Sequence, residues 1–187
     1  MEAFLVSFST VAIAEIGDRT QLLSLMLAAQ YRRPWSILAG VLIATLANHL
    51  LAGLIGVRLG RFLTPTRLDL VVGVSLIAMA LWTLKPDRLA DQSGRRQPRS
   101  AFLATLVAFF ICEIGDKTQV ATAALAAAYS NLLLVVAGTT LGMVLVNAPA
   151  VFIGKAFAAR LPVKTIHYVA SALFLILGAI FILRAVR

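Results

Sequence analysis

The chain has 187 residues, 60% of them hydrophobic and only 13% charged, with a mean hydropathy of +0.93. A soluble domain is about 45–50% apolar and about 25% charged, so the composition excludes an ordinary soluble enzyme and predicts an all-α integral membrane protein. A net charge of +9 would suggest nucleic acid in a soluble protein; here the bases lie between apolar runs, which argues against that partner and for bilayer headgroups and topology.

A spanning helix takes about 20 mostly apolar residues. The chain begins Met1-Glu2, with neither a basic n-region nor a cleavage pattern, so the first apolar run, roughly 3–29, is expected to remain as a spanning helix. The second covers roughly 35–57 and is opened by Pro34; the third covers roughly 68–85 and is stopped by Pro86. The clearly polar stretch runs from Pro86 to Arg99. The second half then repeats the plan, with runs at roughly 101–128, 132–155 and 165–184. All six read as helices, because they are long and lack the two-residue alternation of a barrel strand. Tyr31, Trp35, Trp82, Tyr129 and Tyr168 stand near run ends, where aromatic rings anchor at the interface. The single Cys, Cys112, leaves no internal disulfide and reads as a small apolar residue.

A heptapeptide occurs twice, as Glu15-Ile-Gly-Asp-Arg-Thr-Gln21 and Glu113-Ile-Gly-Asp-Lys-Thr-Gln119. At the same offset of 98 residues (113 − 15), Ala39-Gly40 falls on Ala137-Gly138, Ile55-Gly56 on Ile153-Gly154, and Leu63 on Leu161. The repeat unit is therefore about three helices: repeat 1 over about 1–85, a linker over about 86–100, and repeat 2 over about 101–187, in one membrane domain. Three is odd, so the second half enters the membrane from the opposite side. This predicts two inverted three-helix repeats, with a site at their interface near the midplane. Leaving out Arg19 and Lys117, the loops after the first, third and fifth helices hold ten bases and the other side five. The positive-inside rule then places the linker in the cytoplasm and both termini outside.

Four of the eight acids of the chain, Glu15, Asp18, Glu113 and Asp116, lie in the two motifs. Glu15 is about twelve residues into its run, or roughly 18 Å at about 1.5 Å per residue, near the middle of a hydrocarbon core about 30 Å thick. Ionisable groups at that depth mark function by default. Glu and Asp three apart share a helix face, and two such helices meeting at a pseudo-two-fold axis bring four carboxylates together. Thr20, Gln21, Thr118 and Gln119 extend the oxygen supply; Gly17 and Gly115 allow a break in the helix. Hard oxygens suit Mg²⁺, Ca²⁺ or Mn²⁺, and no Cys–His cluster favours zinc or copper. With all four acids ionised, the motif charge is −4 + 2 = −2, which one divalent ion neutralises. Metal and protons would compete for the same oxygens, a physical basis for antiport. Arg19 and Lys117 read as counter-ions directed away from the metal. Asn48, His49 and Asn147, the last two paired at the same offset, are polar inside runs two and five and read equally as added ligands or as interhelical hydrogen bonders. Pro149 is expected to kink run five. Gly56/Gly60 and Gly138/Gly142 have helix-packing spacing.

A doubled E-x-G-D-(K/R)-(T/S) in a six-helix chain of this size resembles the Gdt-type manganese/calcium transporter family, also described as the second calcium/cation antiporter family. The resemblance covers the whole chain. It implies export of Mn²⁺, or Ca²⁺ in some members, in exchange for protons. The ion is then the transported substrate, and no prosthetic group is expected. The family's motif positions fall here on Glu15, Gly17, Asp18, Arg19 and Thr20, and on Glu113, Gly115, Asp116, Lys117 and Thr118. The short linker and the lack of a eukaryotic-type extension imply a compact prokaryotic form in the plasma membrane. Three alternatives stand beside it. An intramembrane aspartyl enzyme needs two aspartates sharing a proton, but its usual Tyr-Asp is missing from both motifs. The others are a passive cation channel and a small-solute exporter. Oligomeric state is not legible.

Overall fold

The computed structural model describes residues 1–84, 100–129, 131–153 and 163–186, without the side chains of Val163, Lys164, Ile166 and His167. The polar stretch from Pro86 to Arg99, and the bases Lys85, Lys155, Arg160 and Arg187 that enter the count behind the membrane orientation, lie outside the described residues.

Among the described residues there are eight helices and no strand. They are α1 (Glu2–Glu15), α2 (Arg19–Tyr31), α3 (Pro34–Phe62), α4 (Pro65–Thr83), α5 (Ala101–Glu113), α6 (Lys117–Tyr129), α7 (Leu132–Ile153) and α8 (Val163–Val186). Helices α3, α4, α7 and residues 168–186 of α8 are each long and apolar enough to cross a membrane. The first and fourth runs are each broken in two at the motif, where glycine allows a break. Helix α1 has 14 residues and α2 has 13; at about 1.5 Å per residue neither reaches across a core about 30 Å thick alone. The break is the local consequence of glycine: Gly17 has φ 82° and Gly115 has φ 73°, a conformation that side chains with a Cβ adopt at a cost. Ile16 and Ile114 before them are extended, which stops the helix at each glutamate.

Two boundaries also differ from the sequence expectation. Helix α3 runs on to Phe62, taking in Arg58 and Arg61, and α4 begins at Pro65, taking in Arg67 and Asp69. Arginine is a good helix former and carries its charge outward on an apolar stem, so these bases end helices rather than fill a loop. Pro65 enters at the first turn, where its missing N–H costs nothing. Helix α7 continues through Pro149.

Packing alternates between the halves. Helix α1 lies on α7, α5 on α3, α3 on α6, and α4 on α8. Close approach depends on glycine. A Cβ on Gly40 would stand 3.0 Å from Phe102 O and 2.7 Å from Thr105 Cβ; one on Gly138 would stand 2.6 Å from Phe4 O and 3.2 Å from Ser7 Cβ. Adding 98 to Gly40, Phe4 and Ser7 gives Gly138, Phe102 and Thr105, so the two contacts are counterparts. The α4–α8 crossing repeats in the same way. Gly73 and Gly178 oppose each other, and their counterparts Ser171 and Ala80 are joined by a 3.0 Å hydrogen bond from Ser171 Oγ to the Ala80 carbonyl. Gly56 and Gly60 pack on Ala123 and Ala127 of α6.

The distribution of polarity is inverted relative to a soluble protein. Leu42, Leu46, Leu50 and Leu54 of α3 are exposed, whereas Thr45, Asn48 and His49 of the same helix are buried. With no hydrocarbon-to-water gain available outside, apolar side chains face lipid and polar ones face each other. Trp35, Trp82 and Tyr168 are exposed, as interfacial rings are.

Candidate metal site

Both breaks are built alike. Glu15 and Glu113 are the last residues of α1 and α5, and Asp18 and Asp116 precede the first residues of α2 and α6. In each loop the aspartate N–H donates to the glutamate carbonyl at 3.1 Å. The N–H of Gly17 donates to Gln21 Oε1 at 2.9 Å, and that of Gly115 to Gln119 Oε1 at 2.8 Å. Each glutamine thus holds its own loop shut from one turn inside the next helix, the work of a capping residue. Gln21 also donates from Nε2 to the Val146 carbonyl at 3.0 Å. The Arg19 N–H donates to Asp18 Oδ1 at 2.8 Å, so Asp18 caps α2 at the end where the helix dipole favours negative charge.

Threonine ties each loop together. Thr20 Oγ1 donates to Glu15 Oε2. Thr118 Oγ1 lies 3.5 Å from Glu113 Oε2 and 3.2 Å from Asp116 Oδ2, so one hydroxyl addresses both acids of the second motif.

The acids of the two motifs meet. Glu15, Asp18 and Asp116 each present an oxygen within 4.8 Å of the other two, and all three are buried. Glu113 is not in that trio. It lies beside it, across the Thr118 hydroxyl, and its Oε2 is 4.0 Å from His49 Nε2. Glu15 Oε1 and Glu113 Oε1 are buried with no hydrogen-bond partner. An unpartnered buried carboxylate oxygen is costly, and it leaves a lone pair on each side of the cluster for a cation or a proton.

The two bases cross over. Lys117 Nζ is 2.9 Å from Asp18 Oδ2, and Arg19 Nη2 is 2.7 Å from Asp116 Oδ1. Each motif supplies the counter-ion of the other. Both bases are turned into the acid cluster. The reason is electrostatic. At an effective dielectric constant of about 20, two ionised oxygens 4.8 Å apart repel by about 3.5 kcal/mol, whereas an ammonium at 2.9 Å attracts by about 6 kcal/mol. Charges buried this fully are stable only when interleaved. The pairs are unequal in setting: the Lys117 side chain is 1% exposed and that of Arg19 27%.

The polar residues of α3 and α7 differ in role. Asn147 accepts from Ser24 Oγ at 2.7 Å and donates to the Met143 carbonyl at 3.0 Å. Asn48 donates to the Phe110 carbonyl at 3.1 Å. His49 is fully buried and neither ring nitrogen has a hydrogen-bond partner. Ser24 was not singled out in the sequence. Its signal was there: it lies four residues after Thr20, on the same face, and Thr122 holds its place in the second half.

The family profile described as "Divalent cation/proton antiporter GDT1" matches residues 3–91 and 101–187. A Vibrio cholerae protein named "Putative manganese exporter" is 49% identical over 95% of this chain and 89% of its own length. A "GDT1-like protein" of Synechocystis is 31% identical over 96% of both chains. The "Divalent cation/proton antiporter GDT1" of Saccharomyces cerevisiae is 24% identical over 99% of this chain and 85% of its own. No solved structure matches. The family is one of transporters, which removes the aspartyl-enzyme alternative. On the profile match and the bacterial identities, over nearly the whole length, the chain belongs to the GDT1 family of divalent cation/proton antiporters.

Proposed function

We propose that the chain exports a divalent cation, Mn²⁺ in preference to Ca²⁺, in exchange for protons, and that Glu15, Asp18, Glu113 and Asp116 form the shared site. The observation that carries this reading is the meeting of buried oxygens from both motifs within 4.8 Å. Oxygen donors at that spacing match hard divalent ions with bonds of about 2.0–2.6 Å. The names of the Vibrio cholerae and yeast relatives support manganese and proton exchange.

The ion enters a cluster already balanced by Lys117 and Arg19, so it must outcompete two internal cations for Asp18 and Asp116. Protons compete for the same oxygens, and their return on one face drives release of the metal. The paired contacts at the 98-residue offset, Gly40 with Gly138 and Gly73–Gly178 with Ala80–Ser171, support two inverted three-helix repeats in one membrane domain. In that arrangement α1–α2 and α5–α6 are each one broken span, with the site at the breaks. The excess of bases near the linker supports a cytoplasmic linker and external termini, in the plasma membrane of a prokaryote.

The test is transport in proteoliposomes holding a metal-sensitive dye and a pH dye. Wild type should move Mn²⁺ uphill when a proton gradient is imposed, and Glu15→Gln and Glu113→Gln should be nearly inactive. Normal transport by either variant overturns the site. Mn²⁺ flux that ignores the proton gradient replaces the antiporter with a channel.

A further inference from the structure

The positions 49 and 147 are counterparts at the 98-residue offset, yet they are used differently. Asn147 spends its amide on Ser24 and Met143. His49 spends its imidazole on nothing: it is 0% exposed, and both Nδ1 and Nε2 lack a hydrogen-bond partner. Leaving such a group unsatisfied costs about 1–3 kcal/mol, and an apolar residue of similar size would pack α3 without that cost. Its Nε2 faces Glu113 Oε2 at 4.0 Å. That separation is too long for a hydrogen bond, but it suits two donors flanking one ion with bonds of about 2.0–2.6 Å. Glu113 Oε1 is itself without a partner. The imidazole and the Glu113 carboxylate thus stand side by side on the edge of the acid cluster, and each keeps unpartnered atoms: both ring nitrogens of His49 and Oε1 of Glu113.

We propose that His49 is a nitrogen donor to the transported ion and that it sets the preference for Mn²⁺ over Ca²⁺. The inference rests on the site proposed above. Calcium takes six to eight oxygen ligands, and an imidazole in that shell displaces an oxygen without replacing its value. First-row divalent ions accept imidazole, and Mn²⁺ stands at the weak-binding end of their series. One nitrogen among carboxylates therefore discriminates against Ca²⁺ while holding Mn²⁺ loosely enough to release it. The same logic makes Co²⁺ and Zn²⁺ tighter binders than Mn²⁺ in equilibrium competition.

The experiment uses the purified full chain with Mn²⁺ and with Ca²⁺. Pulsed electron paramagnetic resonance of bound Mn²⁺ should show coupling to one ¹⁴N nucleus, and growth on ¹⁵N-histidine should convert that signal to ¹⁵N. His49→Asn, which copies the counterpart residue, and His49→Gln should lose the coupling while His167 remains. Both should weaken Mn²⁺ binding about tenfold or more, the scale seen when groups around a metal are removed, and change Ca²⁺ binding less than about twofold. Bound Mn²⁺ without histidine coupling in wild type overturns the role of His49 and leaves the acid site standing. A parallel fall in Mn²⁺ and Ca²⁺ binding reduces His49 to a packing residue. A wild type that binds neither ion overturns the acid site along with this inference. The isotope measurement is made on the native chain, so it stands even if the variants fail to fold.

Discussion

Substituting Lys117 by Gln tests the crosswise arrangement of charge. The change removes a buried ammonium 2.9 Å from Asp18 Oδ2 and keeps most of the side-chain volume. Breaking a buried ion pair from one side costs about 3–5 kcal/mol. A chain of this size loses about 2–4 °C of Tm per kcal/mol, so thermal unfolding of the metal-free protein in detergent should fall by about 6–20 °C. Arg19→Gln removes the matching pair to Asp116, but its guanidinium is 27% exposed, and water replaces part of the lost interaction. Its loss should be less than half as large. The double variant Lys117→Gln/Asp18→Asn should recover stability relative to the sum of the singles by about 0.5–3 kcal/mol, the range for groups in contact. Mn²⁺ should then stabilise Lys117→Gln more than wild type, because the ion supplies the charge that the ammonium supplied. Equal losses for Lys117→Gln and Arg19→Gln, or strict additivity in the double variant, would refute the crossed pairing.

Three further outcomes follow from particular contacts. Gly56→Ala drives its Cβ into the Ala123 carbonyl oxygen, whereas at Gly60 the nearest atom is 3.4 Å away; the first should cost about 1–3 kcal/mol or more by forcing α3 from α6, and the second should be neutral or stabilising on the same thermal assay. Gly115→Ala meets no atom within 4 Å of the new Cβ, so its cost is that of the left-handed backbone alone, about 1–2 kcal/mol; a loss near zero would show that the loop relaxes freely. Equilibrium Mn²⁺ binding should weaken as pH falls, because protons occupy the carboxylate oxygens the ion needs. One proton displaced per ion gives about a tenfold rise in Kd per pH unit, and a pH-independent Kd would remove proton competition.

The two motifs stood out in the sequence because buried acids are expensive: Glu15, Asp18, Glu113 and Asp116 had no packing reason to be there, and all four are buried in the structure. The helix breaks were legible too, since Gly17 and Gly115 are the residues of each motif that take a positive φ without strain. The exchange of counter-ions was not. Lys117 and Asp18 are 99 positions apart, and only the docking of α6 against the first motif decides which carboxylate an ammonium reaches. The use of Gln21 and Gln119 to close their own loops was hidden for a related reason: an amide serves a backbone N–H or an ion equally well, and the loop's φ angles decide. Helix α3 outran its expected end because hydropathy falls at Arg58 and Arg61 while helix propensity does not.

The most direct test of the account is the anomalous scattering of Mn²⁺ in crystals of the full chain grown with the metal. One peak should lie among Glu15, Asp18 and Asp116, within about 2.0–2.6 Å of carboxylate oxygens from both motifs. A peak bound by one motif alone, or two separate peaks each held by its own Glu–Asp pair, would contradict a shared site.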